Sequence, residues 1–327
     1  MKTMIFTKKD VEKVLTPSVA NKTVEKAFKA YGLGQADMPA KSYLYFEKGD
    51  LRSMPAYLHG QGLDIAGIKS VNVHPENARY NLPTVMAIII IVDPENGFPL
   101  AILDGTYLTS IRTGAAGALA AKLLSRKNSK TAGFVGCGVQ ARTQLACILE
   151  VRKLKIIRIW QFRPDDETAS KFKDWVEKTY GLEAIISSDI DEVTTNVDIL
   201  VTTTPSRKPL VKNVSPGVHI NAIGADAEGK QEINSKIIRH AKLVIDDWAQ
   251  ASHSGEINVP VRRKQITEKD IYAGLGEIAA GKKKGRTSDE EITLFDSTGL
   301  AIQDVSCAYT VYKALKDKPG IKQIEFF

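Results

Sequence analysis

Apolar positions change their spacing along this chain, and each change marks a different kind of element. Over residues 17–32, Val24, Ala27, Phe28 and Tyr31 fall at i, i+3, i+4 and i+7, one face of a helix, and Gly32 and Gly34 close the run. From 41 to 103 the pattern turns to strands at 43–46, 51–58, 65–73, 84–92 and 99–103, punctuated by turn sequences at 47–50 (EKGD) and 93–97 (DPENG). This region predicts an antiparallel sheet. Residues 85–92 (VMAIIIIV) do not alternate, so both faces of that strand need cover. A second copy of the chain or an internal helix would supply it, and the dimer is the favoured reading.

Residues 109–125 predict a helix of small side chains in close contact with another backbone, bridging two domains. Beyond it, strands at 184–186, 198–202, 219–223, 243–245 and 292–295 alternate with helices such as 166–180, which carries Ala169, Phe172 and Val176. That alternation predicts a parallel, doubly wound α/β sheet. A last helix over 300–316, apolar at Ala301, Val305, Ala308, Val311, Tyr312 and Leu315, packs back on the first domain. The chain therefore divides into a substrate and dimerisation domain over 1–124, completed by 298–327, and a dinucleotide-binding domain over 125–297.

The sharpest transition lies at 131–141 (TAGFVGCGVQA). An apolar run breaks at Gly136 and Gly138, and helical spacing resumes behind it. Strand, glycine turn and helix, spaced Gly-x-Gly-x-x-Ala, form a dinucleotide pattern. Gly136 permits the turn, Gly138 lets backbone approach a pyrophosphate, and Ala141 lets the helix pack close to the strand. The first helical turn offers free N–H groups and a positive dipole end to phosphates. Glycine turns also serve purely structural ends; the context, with a second strand at 156–160, favours the nucleotide.

Composition changes this picture little. The chain has 327 residues, 43% hydrophobic and 25% charged, enough for two ordinary globular domains. Three scattered cysteines, Cys137, Cys147 and Cys307, fit a reducing compartment, and no signal peptide opens the chain, so a cytoplasmic location is expected. The apolar run at 85–92 is too short to span a bilayer. The net charge of +7 raises nucleic acid as a partner, but the lysines are dispersed and the cluster at 282–286 (KKKGR) has no interleaved aromatics. Neither nucleic acid nor membrane is expected. The five histidines are isolated, which predicts no metal site, and no Gly-x-Ser-x-Gly elbow supports a serine hydrolase.

Several residues carry candidate chemistry. Lys69 sits inside an apolar strand; exposed, it is a surface charge, whereas buried it loses affinity for its proton and can act as acid or base. Arg52 and Arg112 offer planar forks for a carboxylate or phosphate, or form structural ion pairs. Asp226, beyond a strand end, either caps a helix or faces a ligand.

Taken together, residues 50–55 (DLRSMP), 67–75 (GIKSVNVHP), 82–86 (LPTVM), 110–117 (SIRTGAAG), 136–140 (GCGVQ), 202–206 (TTTPS), 221–226 (NAIGAD), 229–232 (GKQE) and 295–304 (FDSTGLAIQD) resemble the ornithine cyclodeaminase/mu-crystallin family, and within it the archaeal-type alanine dehydrogenases. The resemblance runs through nearly the whole chain in order. It implies a Rossmann-type sheet with a second α+β domain, a homodimer, and an oxidoreductase acting on an amino acid or small 2-oxo acid with NAD(H) or NADP(H). By the same resemblance Lys69 and Asp226 are catalytic, and Arg52, Lys69 and Arg112 bind substrate. The cofactor would meet Arg112, Thr113, Gly136, Gly138, Val139, Gln140, Gln161, Arg163, Thr203, Ala222, Ile223, Gly224, Lys230 and Ser297.

Two departures refine the expectation. The second dinucleotide strand ends in Gln161, with Arg163 close behind, rather than in Asp or Glu; loss of the acid and gain of a cation favour a 2′-phosphate. Family members acting on ornithine carry a glutamate near the position of Arg52, and arginine there repels a distal amine. Alanine and pyruvate are therefore expected over ornithine. The alternatives are a cyclodeaminase or ketimine reductase and, outside catalysis, a crystallin-like dinucleotide-binding protein.

Overall fold

The computed structural model describes residues 2–163, 165 and 167–327. The first part of the chain runs β1 (Thr3–Phe6), α1 (Lys8–Val14), α2 (Pro17–Gly32), β2 (Ala36–Asp37), β3 (Ser42–Phe46), β4 (Gly49–Leu58), β5 (Ile65–Val73), β6 (Val85–Val92), β7 (Pro99–Asp104) and α3 (Thr106–Leu124). Then follow β8 (Thr131–Val135), α4 (Val139–Leu149), β9 (Ile156–Trp160), α5 (Glu167–Tyr180), β10 (Glu183–Ser187), α6 (Ile190–Thr194), β11 (Ile199–Thr202) and β12 (His219–Ala222). The chain closes with α7 (Ser235–His240), β13 (Lys242–Ile245), α8 (Trp248–Ser254), α9 (Asn258–Arg262), β14 (Ala273–Gly274), α10 (Leu275–Ala279), β15 (Thr293–Asp296), α11 (Ala301–Leu315) and β16 (Lys322–Ile324). The helix predicted from 166 is α5; its first predicted residue, Asp166, lies outside the described residues.

Two compact units result. One reaches to Arg112 and is completed by Leu300–Phe327; the other is Thr113–Gly299. The boundary falls inside α3, between consecutive residues.

In the first unit the strands order as β16-β1-β7-β6-β5-β4-β2, with β3 also on β4. From β2 to β7 the pairs are antiparallel, as the strand pattern predicts. At the far edge β1 runs parallel to β7 and carries β16, which makes the sheet mixed. These edge strands are too short to show a period of two. On β4 burial alternates through Arg52, Met54, Ala56 and Leu58, and α11 packs on β4, β5 and β6. Strand β6, apolar throughout, is two-faced in space: Ala87, Ile89 and Ile91 are buried while Ile88 stays 54% exposed. Asp104 ends β7 and caps α3 by accepting the N–H groups of Thr106 (3.3 Å) and Tyr107 (3.0 Å).

In the second unit the order β10-β9-β8-β11-β12-β15-β13-β14 is parallel throughout. Its sense reverses between β8 and β11, the switch point where such sheets hold ligands. Here the small residues of α3 find their reason. A Cβ on Gly114 would collide with the backbone of Thr143, and one on Gly117 with the side chain of Gln144. No helix among the described residues is long and apolar enough to cross a membrane.

Candidate active site

Lys69 lies mid-strand on β5, in register with Met54 of β4 and Ile89 of β6. Residues opposed across antiparallel strands share a face, so Lys69 points with those two toward the side covered by α11. It is 1% exposed. A buried ammonium requires an anion, and α11 supplies Asp304, fully buried. Lys69 Nζ forms an ion pair with Asp304 Oδ2 at 2.7 Å. Arg112 Nε donates to Asp304 Oδ1 at 2.8 Å, and its Nη1 to Gln303 Oε1 at 2.8 Å. One carboxylate thus ties together a strand lysine and a helix arginine, neither of which is near it in sequence.

The charge count is uneven: with Lys69 protonated, two cations share one carboxylate away from water. Burial first, then the Arg112 charge, pull the Lys69 ammonium down to about 7, against the opposing effect of Asp304. Such a site favours an incoming anion. Gln303 also holds its Nε2 buried with no partner among the described residues, the kind of donor that a bound carboxylate satisfies. Arg52 stands on the same face of β4, 6% exposed, but its fork is engaged: Nε and Nη2 donate to the two oxygens of Asp50 at 2.7 and 3.0 Å. Sequence reasoning brought forward Arg52, Lys69 and Arg112. It gave no role to Asp304 or Gln303, although both lie in the quoted stretch 295–304, since a polar pair at the start of a helix reads as ordinary surface.

The residues expected at a cofactor fall in the second unit, except Arg112. Gly136 follows β8 with φ +106°, and a Cβ there would come within 2.7 Å of Thr203 Oγ1; its glycine is required by the turn. Gly138 is different. It is the N-cap of α4 with φ −76°, which any residue adopts, and a Cβ would meet nothing within 4 Å. Open space before a helix N-terminus suits a pyrophosphate. Val139, 65% exposed, and Gln140 begin that helix. Thr203 Oγ1 donates to the Gly136 carbonyl (3.2 Å). Ser297 lies beyond β15, its Oγ buried without a partner among the described residues, and its N–H donates to the Ala222 carbonyl (3.1 Å). The donor set therefore fits a dinucleotide.

The Gln161 N–H donates to the Ser187 carbonyl (2.9 Å), and the Arg163 guanidinium lies over the Phe162 ring, 5.4 Å from its centroid. Ala222 ends β12, with Ile223 and Gly224 just past it. Asp226 and Lys230 pair with each other, Nζ to Oδ1 at 2.5 Å, with the Asp226 side chain 35% exposed. Thr113 is buried, and its carbonyl accepts from Gln144 Nε2 (2.9 Å).

Residues 1–319 match the model of the ornithine cyclodeaminase/mu-crystallin family. The chain belongs to that family. The resemblance carried by the motif series points to the same family. Alanine dehydrogenase of Archaeoglobus fulgidus is 51% identical over 329 residues, covering 100% of this chain and 99% of the relative. Among solved structures, an archaeal alanine dehydrogenase dimer with bound NAD superimposes with a TM-score of 0.95 at 51% identity, over 100% of both chains. The Δ1-pyrroline-2-carboxylate reductase of Thermococcus litoralis, in complex with NADH and L-proline, gives 0.93 at 36% identity, over 98% of this chain and 100% of that one.

Proposed function

We propose that this chain is an NAD(H)-dependent alanine dehydrogenase, converting L-alanine, water and NAD+ to pyruvate, ammonium, NADH and a proton, and back. The observation that carries the reading is the buried Lys69–Asp304–Arg112 cluster, whose leftover positive charge and unsatisfied Gln303 amide suit one small carboxylate. The 51% identity to an alanine dehydrogenase over the full chain supports the choice of substrate.

In this reading Arg112 and Gln303 hold the substrate carboxylate, and Lys69 carries the proton. With a pKa near 7 its amine and ammonium forms are both populated near neutrality. In the deaminating direction the neutral amine takes a proton from the substrate nitrogen; in the aminating direction the ammonium returns it. The bound nicotinamide supplies or accepts hydride at the substrate Cα. Asp304 holds Lys69 and Arg112 at fixed spacing and favours the charged lysine. Arg52, while paired with Asp50, adds positive charge on the same face of the sheet and supports the site electrostatically. Asp226 assists proton transfer once released from Lys230. Gly136, Gly138, Val139 and Gln140 would hold the pyrophosphate, and Thr113, Thr203, Ala222, Ile223, Gly224, Lys230 and Ser297 would line the rest of the dinucleotide site.

Gln161 and Arg163 just beyond β9 support acceptance of NADP(H) as well, because the strand-end position holds Gln161 rather than an acid that would repel a 2′-phosphate. The chain works as a homodimer, as the archaeal relative does. Leu44, Leu51, Met86 and Ile88 share the outer face of the first unit's sheet by register, and Leu44 and Ile88 are more than half exposed, an apolar surface suited to a second copy. No disulfide joins its cysteines among the described residues, in keeping with the cytoplasm.

A second reading, reduction of a cyclic imino acid, is favoured by the likeness to the reductase bound to L-proline. An assay grid of L-alanine, L-proline and L-ornithine with NAD+ and NADP+ separates the two. Alanine with NAD+ is the expected best pair, with NADP+ also turned over. Oxidation of proline with no activity toward alanine, or toward pyruvate and ammonia, would overturn the assignment; a large exclusive preference for NAD+ would overturn the dual-cofactor claim.

A further inference from the structure

Three buried carboxylates link the carboxyl ends of the parallel strands in the second unit. Asp296, at the end of β15, accepts the N–H groups of Glu256 (2.9 Å) and Ile257 (3.0 Å). Glu256 accepts those of Glu232 (2.9 Å) and Ile233 (2.6 Å). Glu232 in turn accepts Thr204 N–H on Oε1 (2.6 Å) and Gly224 N–H on Oε2 (3.0 Å). All three acids are fully buried.

The last link matters most. Thr204 and Gly224 each lie two residues past a strand end, that of β11 and that of β12. Thr203, beside Thr204, donates its hydroxyl to the carbonyl of Gly136 in the glycine turn. Gly224 follows Ala222 and Ile223. Its lack of a side chain has a local cause: a Cβ there would lie 2.6 Å from Thr204 N and would also strike Glu232 Oε2. Burial pushes the Glu232 carboxyl up to about 7, and the hydrogen bonds from Thr204 and Gly224 oppose that rise.

We infer that Glu232 is a positioning residue for the cofactor: by accepting one backbone N–H from each, its carboxylate sets the separation of the loops at 203–204 and 222–224 that flank the dinucleotide site. This rests on the reading of the second unit as an NAD(H) site. The ionised form fits best, and the two N–H groups favour it against burial. It presents two acceptor oxygens, whereas an amide presents one acceptor and one donor, so glutamine would face one of the two N–H groups with a donor. A buried N–H without an acceptor is costly, and the loop that carries it shifts.

The test is NADH binding by Glu232→Gln, read by fluorescence titration, beside steady-state kinetics on the same variant. The NADH Kd and KM rise about tenfold or more, the KM for pyruvate stays within about twofold, and kcat at saturating NADH recovers to within about threefold of the parent. A melting temperature that falls while NADH affinity is unchanged would make Glu232 structural only and overturn the inference. Amide exchange on the unsubstituted protein without cofactor decides the case even if the variant does not fold: the Thr204 and Gly224 amides are protected, and rapid exchange at both overturns the inference. A parent protein that fails to bind NADH would instead overturn the proposed function, and this inference with it.

Discussion

Lys69 is a polar residue in an apolar strand, and its meaning depends on burial, which the sequence leaves open. The structure buries it and pairs it with Asp304. Burial and the Arg112 charge favour the neutral amine, and Asp304 opposes them. A neighbouring anion favours the charged lysine, so its removal lowers the lysine pKa further. In the deaminating direction, where the neutral amine is the base, kcat/KM for alanine rises with pH through about 7 in the parent enzyme. In Asp304→Asn the same rise moves to lower pH by about 1–3 units, and KM for alanine increases as Arg112 loses its anchor. A pH–rate profile of the variant checks this; an unmoved limb would detach Asp304 from the proton-carrying group. Neither Asp304 nor Gln303 stood out in the sequence, because what makes them important is a partner 235 or 191 positions away that only folding brings close.

At the scale of elements, the glycine turn was legible because its spacing encodes geometry directly. Even so, the motif's two glycines do different work. Gly136 holds a left-handed φ against Thr203, whereas Gly138 has an ordinary φ and empty space beside it. Gly136→Ala therefore strains the backbone and destabilises the protein by about 1–3 kcal/mol. Gly138→Ala leaves the melting temperature unchanged and lowers NADH affinity about tenfold or more, since its methyl group occupies room that a pyrophosphate needs. Thermal melts and NADH titrations on both variants distinguish the roles. Other elements were harder to read. Strands β1 and β16 are too short for alternation, and β6 lacks it although its faces differ, since isoleucine serves a buried face and an outer one alike.

At the scale of the whole molecule, the alternation of strands and helices after residue 130 gave the parallel sheet, and the hairpin pattern before 104 gave most of the other. Chain order could not supply the return of α11 as the element that completes the lysine site, beyond the expectation that it packs on the first domain. The outer apolar face around Leu44 and Ile88 predicts self-association. By light scattering the protein runs at about twice its 35.8 kDa chain mass, and Ile88→Lys, by placing a charge on that face, runs as a single chain. A parent protein at the mass of one chain would contradict the dimer.

The central claim is that the Lys69 amine carries the proton in an NAD-dependent oxidation of alanine. Its most direct test is alanine-driven NADH formation by Lys69→Ala, measured beside NADH binding by the same variant. Turnover falls by about a hundredfold or more while NADH affinity stays within about twofold of the parent. Turnover within about tenfold of the parent, or a matching loss of NADH binding, would contradict it.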